Sequence, residues 1–171
     1  MLTYPITVAG LKRNLPICKV NEGLYIAGFV IFGDVELTEA CARELNRRVP
    51  EYDIAITAEA KGIPLIHEMT RQSGRNDYLV ARKAAKLYMN NVFEHRVKSI
   101  TTEREQVLYL DAADAEKIKG KRILVVDDVV STGESIYALE DLVRQAGGNI
   151  VGKATILAEG DAAKRDDLIF L

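Results

Sequence analysis

The chain has no tryptophan, and its 171 residues include only two cysteines, two histidines and four prolines. Cys18 and Cys41 stand far apart, with no second pair and no histidine nearby, which excludes a disulfide framework and a zinc-finger set. No apolar run approaches the roughly 20 residues that a membrane-spanning helix needs. The start, Met1-Leu2-Thr3-Tyr4-Pro5, lacks the basic and apolar regions of a signal peptide. A cytoplasmic location without a membrane partner is the expectation. Positive charge is not in excess either: 23 Lys and Arg face 25 Asp and Glu, for a net charge of −2. No global field is available for gripping nucleic acid, so none is expected as a partner.

The composition is that of a globular protein, 48% hydrophobic and 28% charged, and the length suits one domain over 1–171. Short β-rich runs at 3–8 and 14–20 predict an N-terminal hairpin, followed by an apolar run over 24–32. Thr38 is placed to cap a helix whose apolar residues Ala40, Cys41, Leu45 and Val49 recur at helical spacing, with Pro50 as its stop. Beyond it, expected strands at 53–57, 78–81, 106–110, 122–126 and 150–157 alternate with expected helices at 63–72, 113–119 and 134–146. This pattern predicts an α/β fold, a mostly parallel sheet with helices on both faces and ligands at the carboxyl ends of its strands. One interval, 82–105, shows no clean period. There Arg82, Lys83, Lys86, Arg96, Lys98 and Arg104 outnumber Glu94, Glu103 and Glu105. A stretch of that length is either a binding loop or a solvated charged one.

The chemistry concentrates in Ile123-Leu124-Val125-Val126-Asp127-Asp128-Val129-Val130-Ser131-Thr132-Gly133-Glu134-Ser135. A buried strand runs into two adjacent carboxylates, then a loop of small residues, then the first turn of a helix. Unpaired N–H groups at a helix start, joined by the hydroxyls of Ser131, Thr132 and Ser135, suit a phosphate, and Gly133 permits close approach. Asp127 and Asp128 can accept hydrogen bonds from vicinal sugar hydroxyls or help hold a hydrated Mg²⁺. Neither a Walker lysine nor a Gly-x-Gly-x-x-Gly accompanies them, which favours a ribose-5-phosphate site over a nucleoside-triphosphate one.

VVDDVVSTGES over 125–135 resembles the phosphoribosyl pyrophosphate signature of type I phosphoribosyltransferases. The resemblance implies that fold, with an N-terminal β segment and a flexible hood over about 83–105. It implies that Asp127 and Asp128 address the ribose hydroxyls, with Mg²⁺ held through water, that Ser131, Thr132, Gly133, Glu134 and Ser135 wrap the 5-phosphate, and that Val129 and Val130 belong to the same phosphoribosyl pyrophosphate site. Glu59-Ala60-Lys61-Gly62 resembles the family's pyrophosphate loop, which often contains a non-proline cis peptide. Here Ala60–Lys61 is the expected one, with Ala60, Lys61 and Gly62 holding pyrophosphate. Arg82, Lys83 and Lys86 resemble the family's cationic pyrophosphate contacts, and Glu103 or Glu105 stands where a hood carboxylate is expected to serve catalysis.

Residues 28–35 resemble the purine-stacking stretch of adenine phosphoribosyltransferases, with Gly33 in place of arginine. The likeness implies that Phe32 stacks on the base while the Ile31 carbonyl and the Gly33 N–H read its edge. Segments 59–63 and 99–102 are equally similar to xanthine phosphoribosyltransferases. The implied activity is a purine phosphoribosyltransferase, homodimeric and adenine-directed, with xanthine or hypoxanthine as the alternative base. A noncatalytic sensor of phosphoribosyl pyrophosphate is the rival. His67 and His95 carry no assigned role.

Overall fold

The computed structural model of the chain describes residues 2–89, 91–98 and 105–171, and of His95, Val97, Lys98, Glu105 and Gln106 the backbone alone. Strands β1 (Thr3–Val8), β2 (Leu11–Asn21) and β3 (Leu24–Ala27) form an antiparallel three-stranded sheet. The apolar run over 24–32 does not stay extended, because the chain turns at Gly33, whose φ of +80° lies in the left-handed region open to glycine. Helix α1 (Val35–Asn46) follows at once. Its cap is Asp34 rather than Thr38: the Asp34 carboxylate accepts the Leu37 N–H at 3.1 Å. Thr38 sits one turn inside, its hydroxyl donating to the Asp34 carbonyl at 2.7 Å. Arg13 of β2 pairs with the same carboxylate at 2.6 Å, tying the small sheet to the helix start.

Next come β4 (Ile54–Ala58), α2 (Ile63–Gln72), β5 (Tyr78–Ala81), β6 (Phe93–Lys98), β7 (Glu105–Leu110), α3 (Ala112–Ile118), β8 (Arg122–Val130), α4 (Glu134–Gln145) and β9 (Asn149–Ala158), then a 3-10 turn at Gly160–Lys164. Strands β5, β4, β8 and β9 form a parallel sheet in that order. Its two central strands alternate as the pleat requires. Ile54, Ile56, Ile123 and Val125 pack with α4, α3 and β7, while Ala55, Leu124 and Val126 pack with α1, α2 and the N-terminal sheet. Both faces are therefore covered, as the unbroken apolar run of β8 demands. No helix among the described residues is long and apolar enough to cross a membrane.

The interval 82–105 contains more regular structure than its sequence suggests. Strand β6 pairs antiparallel with β7, in register from Phe93 opposite Leu110 to Lys98 opposite Glu105. Phe93-Glu94-His95-Arg96-Val97-Lys98 does alternate with period two, but six residues with three charges give a weak signal.

Candidate functional site

Strand β8 continues past Val126 to Val130, so Asp127 and Asp128 lie within its carboxyl end rather than in a following loop. Consecutive strand residues face opposite ways, and the pair divides accordingly. Asp128 is 3% exposed. Asp127 is half-buried, and its Oδ1 accepts the Asp128 N–H at 2.8 Å. Burial first, and the neighbouring Asp128 carboxylate second, push the Asp127 carboxyl up to about 7.

The neighbouring strand supplies the opposite wall. After β4 the chain turns at Glu59, whose N–H donates to the Ala81 carbonyl at 2.9 Å. Lys61 then extends toward β8, with its Nζ 3.2 Å from Asp128 Oδ2. That contact is an ion pair without hydrogen-bond geometry, since Asp128 Oδ2 is buried with no hydrogen-bond partner. Gly62 meets the site from below: a Cβ there would overlap Thr57 Oγ1 and lie 3.6 Å from Asp127 Cα. Ala60, Lys61, Lys83, Asp127, Asp128, Val129 and Ser135 border one cavity of about 140 Å³.

The cis peptide lies at Glu59–Ala60, not at Ala60–Lys61. Glu59 is held on both sides, by its own N–H and by its carboxylate, so the turn of the chain falls directly after it. That carboxylate accepts the Lys83 N–H at 2.6 Å, faces Arg82 Nε at 3.0 Å and lies 4.0 Å from Lys86 Nζ. Glu59 thus gathers the three basic residues beside the loop, a part that sequence reasoning missed. Its place directly before Ala60-Lys61-Gly62 was the available signal.

Beyond β8, Val130 is buried, Ser131 and Thr132 are exposed, and Gly133 takes φ +81° as the cap residue of α4. Gly133 itself has no side chain to cap the helix, and a helix start of this kind can receive an anion. Thr132 Oγ1 accepts the Glu134 N–H at a long 3.5 Å. The loop, the carboxylates and Lys61 together form a strip with acceptors at its centre and an amide-rich helix start at one end. Such a strip can hold a sugar phosphate.

The phosphoribosyl transferase domain family matches residues 41–170. The chain belongs to the type I phosphoribosyltransferase family. The hypoxanthine/guanine phosphoribosyltransferase of Methanothermobacter thermautotrophicus is 31% identical over 157 residues, 89% of this chain and 77% of that protein. The adenine phosphoribosyltransferase of Thermotoga petrophila is 34% identical over 107 residues, 63% of this chain and 59% of that protein. Other relatives are named orotate and xanthine phosphoribosyltransferases. The fold agrees with that of the adenine phosphoribosyltransferase of Thermoanaerobacter pseudethanolicus, at a TM-score of 0.71 and 18% identity, with 92% of this chain and 94% of that one covered.

Not every residue expected in this phosphoribosyltransferase's site converges on the carboxylates. Ile31 is fully buried, and its carbonyl already accepts the Asp34 N–H at 3.1 Å. Phe32 is half exposed. Ile31 and Gly33 border a separate cavity of about 560 Å³ with Ile63, Pro64, His67 and Tyr78. The first turn of α2 thus stands between that cavity and the Lys61 loop. His67 packs edge-on against Tyr78, with ring centroids 5.8 Å apart. Glu103 lies outside the described residues, as does the side chain of Glu105.

Proposed function

We propose that this chain is a purine phosphoribosyltransferase that joins a purine to the ribose 5-phosphate of phosphoribosyl pyrophosphate and releases pyrophosphate. The observation that carries this reading is the pair Asp127 and Asp128 at the end of β8, facing Lys61 across one cavity with the Gly133-led start of α4 alongside. In this reading the carboxylates bind the ribose hydroxyls and the loop over 131–135 holds the 5-phosphate. Lys61, Arg82, Lys83 and Lys86 face the pyrophosphate. As purine N9 forms its bond to ribose C1, the bond from C1 to the pyrophosphate oxygen breaks and its electron pair leaves with pyrophosphate. Positive charge develops on the sugar, and catalysis comes mainly from positioning and electrostatics. Asp127, raised to about 7, can hold a proton near the reacting groups.

The donor set suits a hydrated Mg²⁺, because it offers hard carboxylate oxygens and one of them is buried without a hydrogen-bond partner. Asp127 and Asp128 would hold the ion through water, and when bound it neutralises charge on the leaving pyrophosphate. We place the protein in the cytoplasm as a homodimer, with the segment over 83–105 covering the reactants.

Adenine is the preferred base. Phe32 presents a free aromatic face, and neither the Ile31–Gly33 turn nor Glu159 and Gly160 carries a side-chain donor for a purine oxo group. The hypoxanthine/guanine reading has its own support, since the relative so named matches most of this chain. Turnover with adenine, hypoxanthine, guanine, xanthine and orotate, each with phosphoribosyl pyrophosphate and Mg²⁺, separates the two. Fastest turnover with adenine supports the preferred base; a preference for an oxo-purine reverses it.

A further inference from the structure

The five residues over 131–135 offer hydroxyls, amides and one carboxylate but no cation. A phosphate dianion bound there is held more strongly when a cationic donor joins the neutral ones. We infer that Arg165, far from this loop in sequence, is the cation of the 5-phosphate cradle and contacts the phosphate through its NH1 nitrogen. The inference rests on reading 131–135 as that cradle.

Three observations place Arg165 there. It shares with Ser131 and Thr132 a cavity of about 490 Å³. A Cβ at Gly133 would lie 2.9 Å from Arg165 NH1, so the guanidinium rests against the loop where glycine leaves room for it. The other two nitrogens are occupied: Nε and NH2 donate to the Asp167 carboxylate at 2.9 and 3.0 Å. A guanidinium pinned along one edge has a fixed direction, and here NH1 is the corner left for the loop.

The pin is itself anchored to the helix that begins at the cradle. Asp167 accepts from Lys153 Nζ at 2.5 Å, and Lys153 pairs at 2.8 Å with Glu140, a buried residue of α4. The segment that presents Arg165 and the helix that presents the amides are therefore held together. Glu159 and Asp161 also border the cavity, but both are exposed, so water screens them more than it screens the half-buried Arg165.

Titration calorimetry of the full chain with ribose 5-phosphate and, separately, inorganic pyrophosphate tests the inference. R165Q should weaken ribose 5-phosphate roughly tenfold or more, the loss expected for a hydrogen bond to a charged group, and leave pyrophosphate binding unchanged. D167N, which frees the guanidinium without removing it, should weaken ribose 5-phosphate in the same direction by less, and it decides the matter should R165Q not fold. Unchanged ribose 5-phosphate affinity in the folded variants overturns the inference. An equal loss of both ligands with a lower melting temperature overturns it too, because Arg165 would then be a brace. Wild-type protein that binds pyrophosphate but not ribose 5-phosphate removes the cradle reading itself.

Discussion

Lys61 Nζ stands 3.2 Å from Asp128 Oδ2, joining the loop after β4 to the carboxylates of β8. Asp128 is buried and Lys61 about half exposed, so the ammonium is the movable partner and the carboxylate the fixed one. In the proposed reading, sugar hydroxyls at the Asp128 oxygens compete with Lys61, whose exposed ammonium can then turn to the pyrophosphate.

Asp127→Asn and Asp128→Asn preserve shape and remove charge. Both should lower kcat/KM by about a hundredfold or more, as for groups aimed at a developing charge, while far-ultraviolet circular dichroism stays native. Steady-state kinetics with thermal melts checks this. Variants that melt early yet keep full activity per folded molecule would make the pair structural.

The Asp127 carboxyl is easier to protonate in the folded chain than in the unfolded one, at about 7 against a usual 3.8. Its contribution to stability is fully present below the usual value and is lost as pH rises through 7. The melting temperature of the ligand-free protein should therefore fall between pH 4 and 7 by an amount that Asp127→Asn abolishes. Asp53, held down to about 2 by its hydrogen bonds from Arg122, acts below this window. Parallel melting curves for the two proteins across it would refute the assignment.

Glu59 aligns Arg82 and the Lys83 backbone with a single carboxylate. Glu59→Ala should raise KM for phosphoribosyl pyrophosphate roughly tenfold, the cost of losing hydrogen bonds to a charged group, with KM for the base unaffected. Initial-rate kinetics varying each substrate in turn reads the split, and a rise in the base KM alone would contradict it.

Phe32→Ala should do the opposite, raising KM for the purine while sparing phosphoribosyl pyrophosphate. Loss of one stacking face costs about 1–3 kcal/mol, close to tenfold or more in KM. The same kinetic series measures it. No change in the base KM would return Phe32 to the surface.

The sequence made the sheet legible where apolar runs were long. The run over 122–126 marked β8, because that signal is local. Asp34 was harder to see as a cap, since Thr38 offers the same chemistry, and the Arg13 ion pair that helps fix the Asp34 carboxylate comes from 21 residues away. Strand β6 was hidden because pairing with β7 stabilises it rather than its own composition. Within the site, the motif over 125–135 was plain. Arg165 was not, because its relation to Gly133 exists only once β9 brings the chain back beside β8.

The central claim is that the β8 carboxylates and the loops around them serve transfer of a phosphoribosyl group. Base-dependent release of pyrophosphate from phosphoribosyl pyrophosphate, measured with Mg²⁺ for the wild type beside Asp127→Asn, tests it most directly. The account predicts release that requires a purine and falls sharply in the variant. Tight binding of phosphoribosyl pyrophosphate with no release in the presence of any base would contradict it and identify the protein as a sensor.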